Sequence, residues 1–201
     1  MKLFAHRGLW YVREEQNGLT AIDRAFRKGY SVEVDLWKRD DSGDIWLGHD
    51  IGEAKTRFEE VLDCWSSYSD VDLALNIKCD GLLPILREMP HLKSGIGFFA
   101  FDMSMPEQVQ YRRANFPTAI RVSEFETVET IEDQALYWLD AFESDWYLAL
   151  PRRELAKLLS RSIVVSPELH GRQARNVHKL VKEISTYGLC LDSVESFNAT
   201  A

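Results

Sequence analysis

Short apolar runs alternate with amphipathic segments along the whole chain, and this spacing predicts an alternation of strands and helices. Lys2–Ala5, Ser31–Leu36, Asp44–Leu47, Asp72–Lys78, Gly97–Phe101, Thr118–Val122, Tyr137–Phe142, Ser162–Val165 and Leu189–Asp192 read as strands. Helices are expected between most of them. Leu19–Lys28 stops at Gly29 and Gly81–Met89 stops before Pro90. Met105–Asn115 and Pro151–Leu159 carry a proline near the start, where its missing N–H costs least. Gln173–Tyr187 reads as the final helix, ending before Gly188, and Thr127–Leu136 as only a partial one.

Strands alternating with helices imply a parallel sheet, and roughly eight strands closing with the helices outside give a TIM (β/α)8 barrel. The strand count holds one more than eight. Asp44–Leu47 follows the strand ending at Leu36 through Lys38-Arg39-Asp40-Asp41-Ser42-Gly43, which is too short for a crossover helix. That pair is expected to be a hairpin-like excursion inserted in the barrel, carrying His49 over its mouth. A chain of 201 residues is short for this fold, so a compact barrel with trimmed helices is expected. No Pro/Gly/Ser-rich linker and no repeat divides the sequence, and one domain over residues 1–201 is the expectation.

Composition narrows the partners. A hydrophobic content of 45% and 28% charged residues are ordinary for a globular protein, and a formal charge of −8 with no Lys/Arg cluster argues against a nucleic-acid surface. An anionic ligand must then meet a local cationic site. Cys64, Cys79 and Cys190 have neither disulfide nor zinc spacing and read as buried free thiols. No apolar run approaches a membrane span, and Met1–Ala5 passes directly into the first motif without room for a signal peptide, so a cytoplasmic protein is expected.

Three clusters at the ends of apolar runs carry candidate chemistry: His6-Arg7-Gly8, Glu33-Val34-Asp35 and Gly48-His49-Asp50. Glu33 and Asp35 point the same way along a strand. Two carboxylates that close favour a hard divalent cation such as Mg²⁺ or Ca²⁺ between them, and His6 and His49 offer an acid and a base. Together these groups propose metal-assisted phosphodiester chemistry. Each residue also has a plainer reading: a surface histidine for His6 or His49, a salt bridge under the loop for Arg7, an exposed acidic strand face for Glu33 and Asp35. Asp50 either orients the His49 imidazole or caps the next segment. Trp10 and Tyr11 either wall a substrate alcohol or pack the loop.

The ordered set resembles the glycerophosphodiester phosphodiesterase family, whose signature runs HRG, ExD, HD and a strand like LEIK. Here these read His6-Arg7-Gly8, Glu33-Val34-Asp35, His49-Asp50 and Leu75-Asn76-Ile77-Lys78, with a weaker likeness of Gly188-Leu189-Cys190-Leu191-Asp192-Ser193 to the segment that closes the family's barrel. The resemblance implies a metal-dependent hydrolase of glycerophosphodiesters or similar small polyol phosphodiesters. His6 and His49 are then the catalytic acid/base pair, Arg7 and Lys78 bind the phosphate, and Glu33, Asp35 and Asn76 hold Mg²⁺ or Ca²⁺. Asn76 departs from the pattern, which has an acid there; an amide oxygen brings no charge, so metal affinity falls unless another acid compensates. Acids after later strands are Asp102, Glu124, Glu126, Glu143, Asp145, Glu168 and Asp192, with Asp102 and Glu168 the best placed. Alternatives are a lapsed barrel serving as a phosphodiester-binding or sensor protein, and a relative specific for a sugar phosphodiester or a phospholipid headgroup.

Overall fold

The computed structural model describes residues 1–39, 43–126 and 135–199. The chain is a mixed α/β protein forming two compact units, Ala5–Thr118 and Met1–Phe4 with Ala119–Ala201. β1 (Lys2–His6) begins in the second of these and ends in the first.

The first unit holds β2 (Ser31–Lys38), β3 (Ile45–Leu47), β4 (Thr56–Arg57), β5 (Leu73–Ile77) and β6 (Phe98–Phe101). Their order is β4-β3-β2-β5-β6. The β2–β5 and β5–β6 pairs are parallel, and β3 and β4 are antiparallel to their neighbours. The antiparallel β2–β3 pair is the expected hairpin-like excursion, because the connection cannot hold the helix that a parallel return requires; residues 40–42 of it lie outside the described residues. Helices are α1 (Leu19–Arg27), α2 (Phe58–Trp65), α3 (Leu83–Glu88) and α4 (Met105–Arg113). α1 buries Ala21, Ile22, Ala25 and Phe26 and stops where Gly29 turns to φ +76°.

The second unit stacks β7 (Ala119–Val122), β8 (Leu136–Leu139), β9 (Ser162–Val165) and β10 (Gly188–Leu191) as parallel neighbours. α5 (Arg152–Leu159), α6 (Arg175–Glu183) and α7 (Val194–Ala199) complete it. Gly188 is required where it stands, since an added Cβ would lie 2.8 Å from the Phe4 ring.

Several expected boundaries move. Gln173–Tyr187 shortens to α6 because Ile184 is extended (φ −117°, ψ 131°), and it is not the final helix, since α7 follows β10. The strand expected over Tyr137–Phe142 ends at Leu139, where the Asp140 carboxylate accepts the Ala141 N–H and turns the chain. α2 and β4 were not expected, although Phe58, Val61, Leu62 and Trp65 have helical spacing and are the buried face of α2. The partial helix at Thr127–Leu136 falls on residues 127–134, outside the described ones; Leu136 begins β8. The cysteines are free; Cys190 is buried and Cys64 and Cys79 are half-buried. No helix among the described residues is long and apolar enough to cross a membrane.

Candidate active site

β2 is buried on both faces. Val32, Val34 and Leu36 are sealed on one, and Glu33 and Asp35 are equally inaccessible on the other, at 1% and 0% exposure. Burying two carboxylates side by side is costly unless each finds donors or cations. Register supplies them. Asp35 lies opposite Asn76 of β5, so both side chains leave the sheet on the same side, and the Asn76 amide donates to Glu33 Oε1 at 3.2 Å. Lys78, just past β5, brings Nζ to 3.1 Å from Asp35 Oδ1.

The end of β1 delivers the rest. His6 Nε2 stands 3.9 Å from Glu33 Oε2, and the Arg7 backbone N–H donates to the Glu33 carbonyl at 3.0 Å. Arg7 then adopts φ +59°, uncommon for a residue with a side chain, which turns its guanidinium back so that Nε lies 2.8 Å from Asp35 Oδ2. The Nε–H is not aimed at that oxygen, so the contact is an ion pair rather than an aligned hydrogen bond. Gly8 follows at φ +91°, where an added Cβ would lie 2.9 Å from the α1 backbone. His6-Arg7-Gly8 is therefore a turn that packs on α1 while holding Arg7 against β2.

The two carboxylates are driven apart electrostatically. Burial, reinforced by the Asp35 charge, pushes Glu33 above the ordinary carboxylate range. Burial would raise Asp35 too, yet the charges of Lys78 and Arg7 and a bond from Asn17 hold it below that range. One acid is thus an ion-paired anion and the other is poised to take a cation or a proton.

A cavity of about 280 Å³ opens beside Arg7, lined also by Arg13, Gln16, Asn17, Gly48, His49 and Lys55. His49 arrives on the loop after β3 and is half exposed; Trp37 Nε1 donates to the Gly48 and His49 carbonyls at 3.0 and 3.3 Å and holds that loop down. Asp50 faces His49 Nδ1 at 3.2 Å and makes no side-chain cap, so of its two expected roles it takes the orienting one. The structure brings His6, Arg7, Glu33, Asp35, Asn76 and Lys78 into one connected cluster, and His49 shares the cavity with Arg7. Trp10 Nε1 donates to the His6 carbonyl at 3.0 Å, which packs the loop, and Tyr11 is exposed under Arg24.

Four of the later acids, Glu124, Glu126, Asp145 and Glu168, are spent locally. Glu124 accepts the backbone N–H groups of Phe142, Glu143 and Ser144, and Asp145 pairs with Arg172 at 2.5 Å. Glu126 pairs with Arg121. The Glu168 carboxylate accepts from the backbone of Asp192 and Ser193 and from the Ser193 hydroxyl, so it is committed to the β10–α7 turn. Asp102 sits after β6 at φ +69°. Sequence reasoning missed Asn17, which bonds Asp35 directly; Gln16-Asn17-Gly18 reads as an ordinary polar turn and gives no sign of burial.

No protein-family model matches the sequence, and no curated protein sequence does. Solved structures do match. A glycerophosphodiester phosphodiesterase from Agrobacterium tumefaciens str. C58 aligns at a TM-score of 0.71 with 16% identity, covering 99% of this chain and 98% of that one. One from Parabacteroides distasonis ATCC 8503 aligns at 0.70 with 14% identity over 99% and 95%. The chain has the fold of the glycerophosphodiester phosphodiesterases. A phosphodiesterase from Oleispira antarctica, solved with its product sn-glycerol-3-phosphate, aligns at 0.65 with 14% identity over 99% and 96%.

Against the glycerophosphodiester phosphodiesterase pattern, the test of a metal site falls on Asn76. Among the described residues no three His, Cys, Asp or Glu side chains are grouped to hold a metal ion. The Asn76 Oδ1, however, is buried and lacks a hydrogen-bond partner, while its nitrogen is turned to Glu33. A buried acceptor left over beside a carboxylate of raised pKa suits a hard cation. Glu33 and Asn76 therefore fit the group, and Asp35 fits it once Lys78 releases Oδ1.

Proposed function

We propose that this protein hydrolyses a phosphodiester carrying glycerol or a similar small polyol, on a closed (β/α)8 barrel that makes the whole chain one domain. The fold reading rests on the near-complete coverage of the relatives and on the eight strands that remain when β3 and β4 are set aside. The observation that carries the functional reading is the buried Glu33–Asp35–Asn76 cluster with Arg7 and Lys78 on its carboxylate and His6 at its edge.

Arg7 and Lys78 bind the phosphoryl oxygens, the guanidinium by its fork and the ammonium as a point charge. A hydroxyl of the substrate next to the phosphate attacks phosphorus; one of His6 and His49 takes its proton and the other protonates the departing alcohol oxygen, leaving a cyclic phosphate. Water then opens the ring with the histidine roles reversed. Glu33 stands 3.9 Å from His6 Nε2 and Asp50 stands 3.2 Å from His49 Nδ1, so each imidazole has a carboxylate beside it to orient the ring. A Mg²⁺ or Ca²⁺ ion at Glu33, Asp35 and Asn76 would offset negative charge on the phosphoryl group.

A second reading, a barrel that binds phosphodiesters without turning them over, is favoured by Asp35 being neutralised already by two protein cations. Release of glycerol phosphate from a panel of glycerophosphodiesters, titrated with Mg²⁺ and Ca²⁺, decides between them. The hydrolase reading expects a weak, saturable metal requirement that Asn76→Ala shifts to higher concentration. No turnover at any metal concentration, with phosphodiester binding retained, establishes the second reading.

A further inference from the structure

We infer that Asn17 is a positioning residue for the proposed reaction, acting through Asp35 and Arg7; the inference rests on that functional reading. Asn17 is 1% exposed and sits at φ +56°, a left-handed conformation that asparagine tolerates better than most residues with side chains. The next residue, Gly18, has an ordinary φ of −86°. Glycine or asparagine would satisfy the left-handed backbone at position 17. What glycine would not supply is the buried amide, and both of its polar atoms go to one residue: Nδ2 donates to Asp35 Oδ2 at 2.9 Å and Oδ1 accepts the Asp35 backbone N–H at 3.1 Å. Its own N–H donates to the Arg7 carbonyl at 3.0 Å.

This clip needs a donor and an acceptor on one short side chain, which only the amide of asparagine supplies from this backbone position. It stops the Asp35 carboxylate rotating. Oδ2 is held between Asn17 and Arg7, and Oδ1 is presented to Lys78 and to any cation that replaces it. Without the clip the carboxylate is free to turn onto the Arg7 guanidinium with both oxygens, which withdraws Oδ1 from the site. The strain at Asn17 and at Arg7 is the cost of holding that orientation, and left-handed outliers of this kind cluster where geometry matters to function.

Two variants test it. Asn17→Gly keeps the left-handed backbone and the N–H to Arg7 and deletes only the clip; Asn17→Asp keeps the shape and the acceptor and replaces the donor by a second carboxylate oxygen. Relief of backbone strain should offset the lost bonds, so Asn17→Gly is expected to melt within about 5 °C of the wild type. Turnover of a glycerophosphodiester at saturation should fall about 10–100-fold, with KM changed by less than about threefold, because misplacement acts on the reacting geometry more than on binding. Asn17→Asp should be the more damaged of the two. A folded Asn17→Gly with wild-type kcat overturns the inference, and so does an Asn17→Asp with wild-type kcat should the glycine variant not fold. Crystal structures of the wild type and either variant give a readout apart from activity: Asp35 rotated relative to Lys78 supports the positioning role, and Asp35 unmoved overturns it. A wild type without phosphodiesterase activity refutes the functional reading and leaves this structural comparison to judge Asn17 alone.

Discussion

The strand ends of the two units carry the same kinds of residue and use them in opposite ways. Within β2, Glu33 and Asp35 are met mainly by side chains, namely Asn76, Asn17, Lys78, Arg7 and, at 3.9 Å, His6, with the Arg7 backbone N–H also reaching Glu33 Oε2 at 3.3 Å. After β8 and β9, Asp140 faces His170 at 2.6 Å and Asp145 faces Arg172, which reads in outline like another histidine–carboxylate–arginine site. There the acids serve the loops. Asp140 takes the Ala141 N–H, Arg172 also donates to the Ala141 carbonyl, and Glu124 gathers three backbone N–H groups. A carboxylate whose oxygens are filled by backbone donors fixes a turn and has little left for a ligand. One buried among movable side chains can exchange partners, and that difference separates the proposed catalytic cluster from its look-alike.

The largest effect expected of this contrast is on turnover. His6→Ala and His49→Ala should each lower kcat by about 10²–10⁴-fold while leaving the fold intact, since that is the usual contribution of a general acid or base. The double variant should be little worse than the worse single one, because two groups in one proton-transfer sequence behave as a unit. Steady-state kinetics on a glycerophosphodiester measures both, and near-wild-type activity in either single variant takes that histidine out of the mechanism.

Much of this cluster was legible in the sequence. His6-Arg7-Gly8, Glu33-Val34-Asp35 and Leu75-Asn76-Ile77-Lys78 are local patterns, and alternation along a strand is enough to put Glu33 with Asp35 and Asn76 with Lys78 on one face. The parallel register that brings Asp35 opposite Asn76 is a long-range choice that no local pattern encodes. Asn17 was invisible for a related reason: a polar residue between Gln16 and Gly18 reads as solvent-exposed, and only the fold of the loop over β2 buries it. The fate of Glu168 and Glu124 was equally hidden, because the donors that claim them lie some 20 residues away in sequence. In the fold, α2 carried a readable pattern over Phe58–Trp65, whereas the end of α6 at Ile184 and the start of α7 are boundary details below the resolution of periodicity.

Stability should separate the two regions in the next rank. Asp35→Ala leaves Arg7 and Lys78 facing each other with their shared anion gone, and breaking a buried pair in this way costs about 3–5 kcal/mol. Asp140→Ala removes a buried partner from the partly exposed His170, together with one backbone bond, a loss of about 1–3 kcal/mol. Chemical denaturation of both variants at neutral pH checks the order. Equal losses would mean that the cations around Asp35 relax into solvent, and that the cluster is less enclosed than its 0% exposure implies.

The smallest expected effect is the most informative about how the site works. Arg172 is a two-point tie, bonded at once to Asp145 and to the Ala141 carbonyl, and has no reason to leave. Lys78 holds Asp35 Oδ1 by one contact, at the end of a flexible side chain that is 21% exposed. In this arrangement the ammonium that the proposed reaction assigns to the phosphate is engaged by the carboxylate that it assigns to a metal ion. On the proposed reading, Asp35 would hold a cation through Oδ1 only by giving up Lys78, whose ammonium would then be free for the phosphate. Each ligand would then help the other, with an expected coupling of about 1–3 kcal/mol that linkage requires to be the same in both directions. Calorimetric titration of Mg²⁺ in the absence and presence of diethyl phosphate, which has no neighbouring hydroxyl to react, measures it. Lys78→Gln should bind Mg²⁺ alone more tightly than the wild type, since Oδ1 is no longer claimed by a charge, and should lose most of the coupling. Wild-type coupling in Lys78→Gln would show that Lys78 keeps to Asp35 throughout, as Arg172 keeps to Asp145.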